Sequence, residues 1–206
     1  LVAILTNSSF IGLPILNAYM GETAIPYVLV YDQLGTFLAL ATYGTFVVSY
    51  CSSKTQITFK IITFKVLTFP PFISLIVALF FIGVEFHPVI SKVLSSLANT
   101  IVPIALVAVG LQLQFKLPKE DLKPFSVALF VKLLVAPIIA IIVCKIFGWN
   151  NQASIVSIME AGMAPMITAG AIASMAGLAP RLSSAIVGYG ILISFITTGI
   201  LYKFIN

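Results

Sequence analysis

Three ionisable side chains, Glu160, Asp32 and Lys132, stand inside stretches of this sequence that are otherwise apolar. Glu160 lies about eight residues into its stretch, roughly 12 Å deep in a hydrocarbon layer about 30 Å thick. An ionised carboxylate at that depth costs at least about 2.5 kcal/mol, so Glu160 is a candidate for binding a proton or a coupling cation. The alternative is a structural hydrogen bond between helices, with the acid protonated.

The other two charges each have a functional and a structural explanation. Asp32 is a second candidate for coupling, or a charge in the first turn of its helix that the helix dipole favours. Lys132 is expected to carry its ammonium group back to the interface on its long aliphatic stem, although a pair with Glu160 is geometrically conceivable. Cys51 and Cys144 are isolated in the sequence, and we predict no metal site and no cofactor.

Polar residues and helix breakers occur together in two stretches, NSSFIGLPILN from Asn7 and MEAGMAPMIT from Met159. Pro14 and Pro165 remove backbone donors and disturb the preceding turn, which at membrane depth is tolerated only inside the protein or beside a cavity. A helix that begins at each proline would direct its positive end at that cavity and favour an anion. Neutral donors and acceptors around it are supplied by Asn7, Ser8, Ser9, Asn17 and Thr168. The alternative is two kinked helices without a ligand.

The composition indicates which elements position these residues. The chain is 60% hydrophobic and 8% charged, with a mean hydropathy of +1.15, whereas soluble domains carry about 25% charged residues. We therefore predict an all-α integral membrane protein, a single bundle over residues 1–206 without a soluble domain. The stretches long enough to span a bilayer are residues 1–20, 25–50, 58–83, 89–114, 124–147, 152–177 and 180–204. The net charge of +5 reflects lysines in connections and does not indicate a nucleic-acid partner.

The basic residues predict the direction of each span. One side collects Lys54, Lys60, Lys116, Lys119, Lys123 and Arg181, and the other collects Lys92, Lys145 and Lys203. By the positive-inside rule the first side is cytoplasmic and the C-terminus is outside. The stretches 1–20 and 152–177 then run in opposite directions, and each precedes a long apolar helix. This pattern predicts an inverted repeat, with residues 1–50 ending the first half and 58–206 forming the second, and it points to the binding site of a secondary transporter.

Four stretches of the chain carry a family resemblance. NSSFIGLPIL resembles the N-x-x-F-x-G-x-P signature of the auxin efflux carrier family, which includes plant auxin exporters and bacterial carriers of malate, malonate and related acids. The segments similar to the family's sixth, seventh and eighth helices are FPPFISLIVALFF, SLANTIVPIALVAVGLQLQF and LFVKLLVAPIIAIIV. The resemblance implies ten helices in two inverted five-helix repeats, with the fourth and ninth helices broken and crossing. The chain would supply the fourth to tenth, so we expect an incomplete N-terminus and no transport by these 206 residues alone.

The resemblance also implies functional residues and a function. The crossing of the fourth helix would fall at Gly12 and Pro14, with Asn7 in contact with the substrate. The crossing of the ninth would fall at Gly162 and Pro165. We expect a secondary active permease that moves a small organic anion such as malate or malonate by alternating access, with proton or sodium coupling. It would be a multi-pass protein of the cell membrane, the inner membrane in a bacterium, and a homodimer is conceivable.

Several alternatives stay open beside this expectation. Glu160 departs from the family pattern, which leaves its role open between ion binding and a structural hydrogen bond. A bile-acid-type sodium symporter shares the broken-helix design, but no acidic cluster indicates a sodium site. A channel is disfavoured by inverted repeats with one central crossing. An enzyme is not expected, because the sequence has no HExxH motif and its one histidine, His87, lies in a connection beside Pro88.

Overall fold

The computed structural model describes residues 1–52, 67–68, 70–100, 103–104, 107, 111 and 118–205. The helices delimited within these ranges are α1 (Ser8–Gly12, continuing as Leu13–Met20), α2 (Glu22–Val48, its helical backbone continuing to Ser52), α3 (Pro70–Phe80), α4 (Pro88–Asn99), α5 (Lys119–Ile146), α6 (Gln152–Ala161), α7 (Ile167–Met175) and α8 (Pro180–Ile205). No strand occurs in the described residues. An isolated antiparallel β-bridge joins Thr6 and Pro165. The all-α prediction is confirmed.

Three helices, α2, α5 and α8, are long and apolar enough to cross a bilayer, with 27, 28 and 26 residues. At about 1.5 Å per residue each exceeds the hydrocarbon thickness of about 30 Å. They correspond to the predicted spans 25–50, 124–147 and 180–204. Both α2 and α5 begin earlier than predicted, at Glu22 and Lys119, because a 3₁₀ turn with acidic residues opens each of them. Acidic side chains favour the positive end of a helix.

The predicted spans 1–20 and 152–177 are each interrupted in the structure. The first contains a turn, an extended segment that ends at Asn7, and then α1. The second contains α6 with 10 residues, a non-helical segment, and α7 with 9 residues. Because α6 and α7 are each about 15 Å long, each covers about half of the hydrocarbon layer.

The predicted spans 58–83 and 89–114 lie only partly within the described residues, as α3 and α4. Lys54, Lys60 and Lys116 lie outside them, so the sidedness drawn from the basic residues stays a prediction. Within α4 no side chain is buried. The buried part of the described chain is therefore made by the other helices.

The core lies where α1, α2, α5, α6, α7 and α8 meet. Its fully buried apolar side chains include Ile11, Leu16, Met159, Met163, Val187 and Ile191. Within a bilayer such packing is stabilised by close van der Waals contact rather than by removal from water. The closest approach of α7 to α8 depends on Gly170, since a Cβ there would lie 2.7 Å from Cγ2 of Val187. This core surrounds both interruptions and holds them together.

Candidate functional site

The two extended segments pair with each other in antiparallel fashion at the centre of the core. The backbone N–H of Asn7 donates to the carbonyl of Ala164 at 2.9 Å, and the N–H of Met166 donates to the carbonyl of Leu5 at 3.0 Å. Backbone groups that leave a helix at membrane depth need such partners because no water replaces them. We call Leu5 to Asn7 the first crossing segment and Ala164 to Met166 the second.

Local sequence favours the second crossing segment. Pro165 disfavours helical dihedral angles in the residue before it, so the chain stays extended after α6 ends. Its ring lies against Gly190 of α8, where a Cβ would be 2.5 Å from Cδ and 2.7 Å from Cγ of the proline. The absence of a side chain at Gly190 therefore leaves room for the ring of Pro165.

The first break lies earlier than the sequence predicted. The crossing is at Thr6, whereas Pro14 lies inside α1, immediately after a wide turn in which the N–H of Gly12 bonds the carbonyl of Asn7, five residues back, at 3.0 Å. Such a turn absorbs the missing donor and the bulk of the proline ring without ending the helix. The expected crossing at Gly12 and Pro14 is corrected accordingly.

A polar cavity of about 120 Å³ opens at this crossing. Its lining residues are Thr6, Asn7, Ser8, Ser9, Phe10, Asp32, Gln33, Phe37, Met166 and Thr168. Both α1 and α7 begin at its edge, and neither has a side chain that caps its first N–H groups. By contrast α6, which begins away from the crossing, is capped by Asn151, whose side chain accepts from the N–H of Ser154 at 2.9 Å. The two uncapped helix starts make the cavity electropositive on one side.

Besides Oε1 of Gln33, which is an acceptor, one more buried side-chain atom of this cavity lacks a partner among the described residues, and it is the amide donor of Asn7. Asn7 is 2% exposed, and its Nδ2 has no hydrogen-bond partner among the described residues. A buried donor left unpaired is costly, on the order of 1–3 kcal/mol. An acceptor such as a carboxylate oxygen in the cavity would satisfy it.

Asp32 lies in the same cavity as a well-stabilised carboxylate. The hydroxyl of Ser8 donates to one oxygen of Asp32, and Nε2 of Gln33 donates to the other at 2.8 Å. Both carboxyl oxygens of Asp32 therefore have a donor within the protein. Asp32 sits in a wide turn, Tyr31–Thr36, well inside α2, so its predicted place in the first turn of the helix is wrong. The helix begins at Glu22, ten residues before Asp32.

Lys132 is buried beside the crossing and does not reach the interface. Its side chain is 1% exposed, and Nζ donates to Oγ1 of Thr6 at 2.6 Å and to the carbonyl of Ala161 at 3.0 Å. The predicted return of this ammonium to the membrane surface is wrong, because the unpaired carbonyls at the end of α6 attract a cation. Sequence reasoning noticed the lysine and missed these partners, which come from segments far away in the chain.

Glu160 lies in the last turn of α6 and is completely buried. Neither carboxylate oxygen has a hydrogen-bond partner among the described residues, so Lys132 does not bind it directly and no structural hydrogen bond forms there. The carboxyl group packs against Gly12 of α1, where a Cβ would lie 2.8 Å from Oε2. Glu160 is thus a buried acid wedged between α6 and α1.

The structure separates the predicted site residues into two groups. Those that line the polar cavity are Asn7, Ser8, Ser9, Thr168 and Asp32. Pro14 instead lines an apolar cavity between α1 and α8, Asn17 is exposed near the end of α1, and Gly162 packs against Leu201 and Pro137. Because α1 begins at Ser8 and not at the proline, its later residues fall on turns that are remote from the crossing.

No metal centre is apparent in the described part of the chain, which holds no group of three or more His, Cys, Asp or Glu residues able to hold a metal ion. A family model described as membrane transport protein matches residues 1–202, which include both crossing segments and the whole polar cavity. No curated protein matches the chain.

Proposed function

The chain belongs to the auxin efflux carrier family of membrane transport proteins, and we propose that it is a secondary active transporter of a small organic anion. The polar cavity would open alternately to the two sides of the membrane. The family is one of transporters and not of enzymes. The chain is a multi-pass membrane protein, while the inverted repeat, a location in the cell membrane, an outside C-terminus and a homodimer stay predictions.

The unpaired amide of Asn7 is the observation that carries this proposal. Its Nδ2 faces no protein acceptor, and the uncapped starts of α1 and α7 lie at the same cavity. A carboxylate accepts hydrogen bonds from an amide and from backbone N–H groups, and it is favoured at the positive ends of helices. A cavity of about 120 Å³ suits a small anion such as malate or malonate.

Asp32 restricts where the anion can bind. Like charges repel, so a substrate carboxylate would lie on the side of Asn7 and Thr168, away from the carboxylate of Asp32. The ammonium of Lys132, held at Thr6 on the border of the cavity, offsets part of that repulsion. The same fixed cation disfavours a sodium ion at the crossing, which argues against sodium coupling of the kind found in a bile-acid-type symporter.

The proposed movement follows from the way the crossing is joined. The two crossing segments are linked to each other by backbone hydrogen bonds and are packed against α8 through Gly190. We expect α1, α6 and α7 to move together, because shifting one alone would leave backbone groups unpaired at membrane depth. Alternating access would then be a movement of this unit relative to the rest of the bundle.

Counterflow in proteoliposomes tests the proposal, with the protein in its longest natural form and a panel of mono- and dicarboxylates. The variant Asn7→Ala should reduce exchange at least about tenfold, because a hydrogen bond to a charged group contributes about 1.5–3 kcal/mol. Asn17→Ala is the matched control, since Asn17 is exposed on the same helix outside the cavity. Folded protein that exchanges no organic anion would contradict the proposed function, and equal activity of both variants would remove Asn7 from the site.

A further inference from the structure

Glu160 is a buried acid that the proposed anion site does not use. It is 0% exposed, both of its oxygens lack hydrogen-bond partners among the described residues, and it borders none of the described cavities. Buried polar groups are almost always hydrogen-bonded, so an orphaned one in a native core needs an explanation. An intramembrane carboxyl group is by default a candidate for a functional role.

The charges around Glu160 come from two helices. Lys132 of α5 and Asp32 of α2 act on it electrostatically, and Tyr31 of α2 is the other titratable group nearby. The sequences of α1 and α7 contain no charged residue. The charged residues of α8, Arg181 and Lys203, lie near its two ends. The centre of the core thus combines one ammonium group with two carboxyl groups.

One proton balances these charges, and the hydrogen bonds indicate which carboxyl holds it. Asp32 accepts hydrogen bonds from Ser8 and Gln33, so a negative charge there has two donors. Glu160 accepts from no group, so nothing stabilises a negative charge on it except the positive charge of Lys132. When Glu160 holds the proton, the positive charge of Lys132 and the negative charge of Asp32 cancel, and the centre of the core carries no net charge.

A metal ion fits this position poorly. Hard cations such as sodium or magnesium are bound by several oxygens together, whereas the Glu160 oxygens have no polar partner within hydrogen-bond distance among the described residues. The ammonium of Lys132 further opposes a second cation. The ligand that the geometry accommodates is a proton.

A third cavity, which Glu160 itself does not line, is the candidate route for that proton. It measures about 390 Å³ and is lined by Tyr31, Ala140, Val143, Cys144, Trp149, Asn151, Ala153, Ser154 and Ser157. Ser157 lies three residues before Glu160 on α6, and residues at that spacing share a face of a helix. Trp149 and Asn151 belong to the connection between α5 and α6, so one end of the cavity lies at that connection. Its lining residues differ from those of the anion cavity.

Resting on the proposed function, we propose that Glu160 binds a proton that is transported together with the organic anion. The carboxylate of Glu160 takes up one proton from water on one side of the membrane, becoming neutral, and returns it to water on the other side. Reciprocal linkage makes this a symport, since an anion in the polar cavity binds more favourably when Glu160 is neutral. The contact with Gly12 places the carboxyl group against α1, the helix that begins at that cavity.

The first test uses the unaltered protein in liposomes that contain a pH-sensitive dye. An inward anion gradient should drive protons inward, and uptake should rise by up to about tenfold for each unit that the external pH falls, because one proton is linked. Anion counterflow without any proton movement would overturn the coupling while leaving the proposed function intact. Absence of counterflow itself would count against the proposed function instead.

The second test assigns the site. Glu160→Gln keeps the shape and the neutral state, so it should retain counterflow and lose both the proton flux and the dependence on pH. Glu22→Gln is the matched control, because Glu22 is exposed at the start of α2. Proton flux that persists in Glu160→Gln would overturn the assignment.

A measurement on the unaltered protein covers the case in which Glu160→Gln does not fold. Dicyclohexylcarbodiimide is apolar and reacts with protonated carboxyl groups inside membranes, so peptide mass analysis should find the label on Glu160. Labelling should fall as the pH rises. The proton flux should decrease in proportion to the fraction of protein that is labelled. A label found on Asp32 and not on Glu160 would overturn the proposal.

Discussion

The two crossing segments pair through the same kind of backbone hydrogen bonds, but one carries polar side chains and the other apolar ones. The first contains Thr6 and Asn7 and leads directly into Ser8, all polar and all buried. The second is Ala164, Pro165 and Met166, which offers no polar side chain. The backbone pairing thus tolerates very different sequences, because it uses only N–H and carbonyl groups. The polar side chains are concentrated on one side of the crossing, and the other side contributes packing contacts such as that of Pro165 with Gly190.

The helices that begin or end at the crossing differ in a similar way. The starts of α1 and α7 at the cavity are uncapped, whereas α6 starts away from the cavity with a cap from Asn151. The end of α6 at the crossing has its own cation, Lys132, which binds the carbonyl of Ala161. Unpaired donors are therefore left where an anion is proposed to bind, whereas the Ala161 carbonyl at the end of α6 is already paired within the protein.

Replacing the cation that joins the first crossing segment to the end of α6 should have the largest effect. Lys132→Met leaves Thr6 and the carbonyl of Ala161 without their donor and the nearby carboxyl groups without a counter-charge. Removal of one partner from a buried charged network costs about 3–5 kcal/mol, so we expect a strongly lowered thermal unfolding temperature in detergent and loss of counterflow. Lys145→Met, at an exposed position of the same helix, is the control. Similar unfolding temperatures for both variants would contradict the assigned role.

Disturbing only the second segment should have an intermediate effect. A Cβ introduced by Gly190→Ala overlaps the ring of Pro165, and overpacking of this kind costs about 1–3 kcal/mol. Thermal unfolding in detergent should show the loss, and anion exchange should fall because the support of the crossing moves. Gly35→Ala is the control, since a Cβ at position 35 meets nothing within 4 Å. An unchanged Gly190→Ala protein would show that the second segment is less rigid than the contact indicates.

Removing the cap of α6 should have the smallest effect. Asn151→Ala deletes the acceptor of the Ser154 N–H, and loss of an N-cap costs typically about 1 kcal/mol. The crossing is untouched, so anion specificity should stay the same while the unfolding temperature falls slightly. The exposed neighbour Asn150 provides the control variant, Asn150→Ala. A change in anion specificity in Asn151→Ala would contradict the separation between capped and uncapped helix starts.

Wide turns explain why the sequence misplaced part of the site. Ser8, Asp32 and Lys132 each lie in a turn whose hydrogen bonds reach five residues back, in α1, α2 and α5. A proline is a strong local signal for a break, but the wide turn before Pro14 accommodates it within a continuous helix. The actual break at Thr6 carries no such signal, because an extended backbone there is stabilised by a partner segment near the other end of the chain.

The sequence by itself determined the membrane class, the three long spans, the interruption of two others and the three charged residues at membrane depth. These follow from hydropathy and from proline, which act over one or two helical turns and can be read locally. Only the tertiary structure decided that the crossing lies at Thr6 and Pro165, that Lys132 binds a threonine 126 residues away, and that Glu160 is left without a partner. Those outcomes depend on which distant segments pack together, and hydrogen-bond partners brought together by packing leave no periodic pattern in a single sequence.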